Sequence, residues 1–220
     1  MLEVAALYVE TDGAYYGLEG VDPWDQERDA RLYNGPNPVV AHPPCSTWCQ
    51  LASVNEARWG KMIGDDDGCF EAALASVREW GGVLEHPAYS LAWGRHDLHR
   101  PARGYWGRSF FDEGWVTEVS QAAYGHLAQK KTWLYYVGSN LPPKLDWRDV
   151  GGEVVIGASV NVGQPGASFR PRATKNEAIG TPVLFRDALI EMARTAHLTH
   201  SGYEHDVPSP HKEKELSDAC

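Results

Sequence analysis

Two short apolar runs, Val39-Val40-Ala41 and Val83-Leu84, each break into a proline-fixed turn, and one amphipathic helix separates them. No other feature of the chain constrains its fold as much. Between the runs, Phe70, Ala73, Leu74, Val77 and Trp80 recur at helical spacing over residues 68–80, and Gly81-Gly82 ends the pattern. A strand, a crossover helix and a second strand imply parallel pairing, because antiparallel neighbours need only a hairpin. His42-Pro43-Pro44-Cys45 follows the first run and Glu85-His86-Pro87 closes the second. Cys45 and Glu85 are therefore predicted to share one edge of a sheet, the edge where open α/β folds hold their ligands.

The rest of the chain extends this unit. Val4–Val9 reads as a first strand, followed by a loop carrying Gly13, Gly17 and Gly20 that lacks a GxGxxG pattern. Residues 25–33 read as a short polar helix with an Asp cap. Trp115–Val119 and Thr132–Gly138 read as further strands. Val183–Ala196 reads as a last helix, with Leu184, Ala188, Leu189, Ile190 and Met192 on its apolar face and Pro182 at its start. The prediction is an α/β fold, a reduced Rossmann-like, mostly parallel sheet with flanking helices. It occupies residues 1–198 as one domain, with irregular insertions near 94–114 and 149–172 and a polar, disordered tail over 199–220.

Composition narrows the function. A 43% hydrophobic content supports a sizeable core, yet no apolar run is long enough for a bilayer. The start Met1-Leu2-Glu3-Val4 lacks a basic leader, and four irregularly spaced cysteines fit reduced thiols better than a disulfide framework, so a cytoplasmic location is expected, that of the host if the chain is viral. A net charge of −10 argues against a general nucleic-acid coat or an anionic-membrane binder. Within this acidic chain, residues 94–114 gather Arg95, Arg100, Arg103, Arg108 and Trp106, a combination suited either to phosphate contact and base stacking or to an ordinary surface loop. Asp65-Asp66-Asp67 is read as a helix N-terminus rather than a metal site, and His96 and His99 lack companion ligands, so no metal is expected.

Taken together, these stretches resemble the DNA cytosine-5 methyltransferases. Pro44-Cys45 with Trp48 matches the family's Pro-Cys nucleophile loop, and Leu84-Glu85-His86-Pro87 lies where its Glu-Asn-Val motif should. Gln129-Lys130-Lys131-Thr132-Trp133 falls in register with its Gln-x-Arg-x-Arg motif, and Ile179-Gly180-Thr181-Pro182 resembles the segment that opens its last helix. The chain departs from the pattern at His86, Lys131 and Trp133, which stand where the family has Asn, Arg and Arg. Its N-terminal half is also too short for two full strand–helix units of about 30 residues each before the Cys loop.

The resemblance implies covalent chemistry at pyrimidine C5 in DNA. Cys45 would add to C6 as a thiolate, Glu85 would act as the acid on N3, Lys131 and Gln129 would orient, and His86 would supply a second proton-transfer group. S-adenosylmethionine is the implied donor. Val9, Gly13, Asp22, Trp24, Pro43 and Gly180 are the candidate cofactor residues, and Arg95, Arg100, Arg103, Arg108 and Trp106 the candidate nucleic-acid contacts. Implied partners are DNA or a pyrimidine nucleotide, with a protein partner to supply target recognition. Two alternatives stay open. One is a related enzyme with another donor or a free nucleotide as substrate. The other is a non-catalytic nucleic-acid- or protein-binding relative that has lost its cofactor site.

Overall fold

The computed structural model describes residues 3–49, 52–60, 62–156 and 170–196. The predicted disordered tail, residues 199–220, lies outside them.

Seven strands form one sheet: β1 (Val4–Leu7), β2 (Val21–Trp24), β3 (Val39–Ala41), β4 (Gly82–Pro87), β5 (Gly107–Arg108), β6 (Trp115–Ser120) and β7 (Lys131–Val137). Their order is β2-β1-β3-β4-β7-β6-β5. The first four pair in parallel, and β7 then joins β4 antiparallel, followed by antiparallel β6 and β5. The sheet is thus mixed, with five strands running one way and two the other. β3 and β4 are parallel neighbours, with Val40 opposite Val83, as the strand–helix–strand pattern predicts.

Two helices cover the two faces. α2 (Cys69–Trp80) buries Phe70, Ala73, Leu74 and Val77 on one side, each large side chain contributing about 1.5–3 kcal/mol of transfer free energy. α5 (Val183–Thr195) buries Phe185, Leu189, Ile190, Met192 and Ala193 on the other. Leu184, assigned by pattern to the apolar face of α5, is exposed in the helix's first turn. The backbones of β3 and β4 meet so closely at Gly82 (φ 121°) that a Cβ there would sit in the Val39 carbonyl.

Among the described residues there are three shorter helices: α1 (Ala52–Trp59), α3 (Leu91–Arg95) and α4 (Lys175–Ile179). The helix expected over 25–33 is instead a series of turns ending in a 3-10 turn at Ala30–Leu32. Asp25 does cap it, accepting the Glu27 and Arg28 N–H groups, but Asp29 sits in the left-handed region and interrupts regular α geometry. The insertion expected near 94–114 holds the end of α3 and the short edge strand β5.

Candidate active site

The strand order reverses between β1 and β3: the chain moves from β1 outward to β2, then returns past β1 to β3. Ligands of open α/β sheets bind outside the carboxyl ends of strands at such a switch point. The loop leaving β3 there is His42 to Cys49. Trp48 and Cys49 both donate their N–H to the Cys45 carbonyl, which winds it into one helical turn. The Trp48 indole donates to Asp66, and the Thr47 carbonyl takes the Gly64 N–H, tying the loop to the N-terminus of α2.

On the α5 side of this loop lies a polar cluster centred on Glu85. Side chains alternate along β4, so Val83 and Glu85 face α5 whereas Leu84 and His86 face α2. Buried Glu85 is held at both oxygens. His42 Nδ1 lies 3.0 Å from Oε2, and Gln121 Nε2 donates to Oε1 at 3.1 Å. The same Gln121 nitrogen donates to Thr132 Oγ1 at 3.0 Å, and the Tyr15 hydroxyl meets His42 Nε2 at 2.7 Å. Burial pushes the Glu85 carboxyl up, but the His42 hydrogen bond and then the electrostatic influence of His42, Lys130 and His86 outweigh it, and the group rests below the ordinary carboxylate value. Cys45 is half-buried. Burial, then the Glu85 charge and Cys49, push its thiol up, opposed by Lys130. Cys45, Glu85 and Lys130 thus lie within one electrostatic neighbourhood. Lys130 takes a left-handed backbone (φ 26°), and its ammonium donates to the carbonyls of Ile179 and Gly180.

On the other side of the loop is a cleft of about 540 Å³, lined by Tyr8, Val9, Asp25, Gln26, Asp29 to Arg31, Pro44, Ser46, Thr47, Asp65 to Asp67 and Cys69. Its walls are acidic. Arg31 is committed to Asp29 and to the Asp67 carbonyl. Asp25 accepts from Tyr16 and Thr11, and these bonds hold its carboxyl down to about 2. The buried hydroxyls of Tyr8 and Thr47 have no hydrogen-bond partner among the described residues. Tyr8 ends β1 in a left-handed conformation (φ 59°), a strained setting for a non-glycine residue at a binding edge.

The predicted site residues separate on this frame. Cys45 and Glu85 come together. His86 does not join them: it is fully buried on the α2 face, edge-on to Phe70 and stacked with Trp93, and burial pushes its imidazole down to about 4. The Gln129 amide donates to Asp149, and Lys131 opens β7 with no side-chain contact to Glu85 or Cys45 among the described residues. Gln121 and Lys130 stand where those two were expected, and His42 and Tyr15 were not anticipated.

Of the candidate cofactor residues, Val9 lines the cleft. Gly13 closes a turn onto the Glu10 carbonyl, and Pro43 is buried beneath the Cys loop. Asp22 and Trp24 engage Arg28 by an ion pair and by cation–π stacking. Gly180 faces Lys130 instead.

The basic stretch is divided and largely paired internally. Arg103 binds Glu118 and Tyr89, Arg100 lies over the Tyr89 ring, and Arg108 binds Glu113 over Trp115. Trp106 packs on the opposite, α5 side of the sheet, its indole donating to the Pro143 carbonyl. Arg95 ends α3 in solvent.

Among the described residues no group of His, Cys, Asp and Glu side chains could hold a metal ion, and no helix is long and apolar enough to cross a membrane. Comparison of the chain with protein-family models, with curated proteins and with solved structures finds no match.

Proposed function

We propose that the protein modifies a pyrimidine base, cytosine in DNA, at C5 through a covalent adduct with Cys45, with S-adenosylmethionine as methyl donor. The observation that carries this reading is the pairing of a cysteine on a stiff Pro-Pro turn with a buried carboxylate fixed at both oxygens, beside the switch point of a sheet whose first four strands are parallel. Pyrimidine C5 becomes nucleophilic only after a thiolate adds at C6, and the added charge needs an acid on N3. Cys45 is the nucleophile and Glu85 the acid. Gln121 orients Glu85, and Lys130 supplies the local positive charge. A base in duplex DNA must first be unstacked to reach a thiol set in this way.

The cleft fits the donor. Its acidic walls complement a sulfonium and an ammonium, and the unpartnered hydroxyls of Tyr8 and Thr47 offer hydrogen bonds to a polar ligand. When bound, S-adenosylmethionine supplies an electrophilic methyl group. Tyr8, Asp25, Asp66 and Thr47 are the residues that would hold it, beside the loop that carries Cys45.

The test is a denaturant-stable adduct. Single-stranded DNA containing 5-fluorocytosine, incubated with the protein and S-adenosylmethionine, is expected to become covalently linked, and Cys45→Ser is expected to form no adduct. Equal labelling of wild type and Cys45→Ser would end the covalent reading.

A further inference from the structure

The acid assigned to Glu85 has a starting-state problem. A carboxyl that donates to N3 must hold a proton, yet one Glu85 oxygen accepts from Gln121 Nε2 and the other lies 3.0 Å from His42 Nδ1. That arrangement suits a carboxylate. Turning the Gln121 amide over would aim its carbonyl oxygen at Glu85 and cost it the bond to Thr132 Oγ1, whose own hydroxyl donates to the Lys130 carbonyl. The His42 contact is equally directional. A neutral imidazole donates from one nitrogen only, and the partner of the other nitrogen decides which. Tyr15 is buried with its hydroxyl 2.7 Å from Nε2; a phenol donating there would leave the imidazole proton on Nδ1, facing Glu85. Burial and the nearby Glu85 charge push the Tyr15 phenol well up, so Tyr15 keeps its proton and serves as a fixed donor.

We infer that Tyr15 and His42 form a positioning dyad that keeps Glu85 ionised and aimed, so that it takes the Cys45 thiol proton before passing it to N3 of the pyrimidine. This rests on the pyrimidine reading above and assigns its proton. The Cys45 S–H bond breaks, and its proton goes to Glu85. The sulfur lone pair forms the S–C6 bond. The C5=C6 pair becomes C4=C5, and the C4=N3 pair moves onto N3, which takes the proton from Glu85. Glu85 ends as the carboxylate it began as, and no outside acid or base is consumed. The titratable and charged groups acting on Glu85 and Tyr15 are His42 and Cys45 from the β3 loop, Lys130 from the turn before β7, and Arg186 with Asp187 on α5, with His86 acting from the opposite face of β4.

The experiment uses the full chain and single-stranded DNA containing 5-azacytosine, whose ring N5 can be protonated to trap the C6 adduct without any donor. Adduct rates are measured against pH. In His42→Ala, Glu85 loses its donor and starts protonated. The acid limb of the rate profile is expected to move to higher pH, with a loss on the order of tenfold to a hundredfold at neutral pH. His42→Asn, whose amide nitrogen can replace Nδ1 as donor, is expected to restore most of the wild-type profile. Tyr15→Phe should give a smaller shift in the same direction, about threefold to tenfold, the worth of one hydrogen bond. In parallel, nitrogen NMR of the free wild-type protein should find the His42 proton on Nδ1. A proton on Nε2, or profiles of His42→Ala and Tyr15→Phe that superimpose on wild type, overturns the dyad while leaving Cys45 chemistry intact. A wild-type protein that keeps the Nδ1 proton but forms no adduct overturns the pyrimidine reading, and the dyad's chemical role with it.

Discussion

His86 is fully buried between Phe70 and Trp93, on the face of β4 opposite Glu85. Burial pushes its imidazole down from 6.5 to about 4, against the pull of Glu85 and the Pro44 carbonyl. The linkage has a definite sign. The unfolded chain takes up a proton at His86 near pH 6.5 and the folded chain does not until about pH 4. The His86 contribution to stability is therefore complete above pH 6.5, drains away between pH 6.5 and about 4, and changes no further below that. The loss across the window is about 3 kcal/mol. Urea unfolding at a series of pH values should show it, and His86→Phe should remove that part of the pH dependence while leaving the carboxylate-driven loss at lower pH.

Among the elements, the N-terminus of α2 and the Cys loop are joined through one side chain. Asp66 accepts the Gly68 and Phe70 N–H groups, capping α2, and also takes the Trp48 indole proton. Asp66→Ala is expected to cost about 1–3 kcal/mol, a lost cap plus an unpaired buried indole, read as a lower urea midpoint. Because Trp48 lies in the Cys45 loop, the variant should also slow adduct formation, whereas a cap serving α2 alone would leave that rate unchanged.

The same elements show what the sequence could convey. Val39–Ala41, the 68–80 helix and Val83–Pro87 carried enough periodicity to give parallel, adjacent strands and to bring Cys45 and Glu85 to one edge. Alternation within a strand also separates His86 from Glu85, which follows from the period of two once β4 is granted. Gln121 and Lys130 were less legible. Gln121 follows β6 in a 3-10 turn, and only the antiparallel return of β7 lays that turn beside Glu85. Lys130 enters the site because a left-handed residue redirects the chain one position before β7, and no residue preference announces a positive φ at lysine. His42 and Tyr15 meet across 27 residues, a contact with no local signature.

At the scale of the whole molecule, charge differs between the two sides of the Cys45 loop. The cleft at the switch point is walled by Asp25, Asp29 and Asp65 to Asp67, whereas the Glu85 cluster has Lys130 beside it. A ligand of net positive charge is favoured in the cleft over an anionic one. Calorimetry should find S-adenosylmethionine binding that weakens with added salt, and the Asp65→Asn, Asp67→Asn double variant should raise Kd about threefold to tenfold, the range for partly screened charges.

Pro44, Ser46 and Thr47 line the cleft, while Cys45, between them, answers to Glu85 on the other side. One loop therefore forms a wall of the cleft with some residues and approaches Glu85 with another, and it is braced by Trp48 and Asp66. Variants selected to admit a bulkier donor through substitutions at Ser46 or Thr47 should therefore lose reach toward the base, and broadened donor range and adduct rate should trade against each other along this single loop.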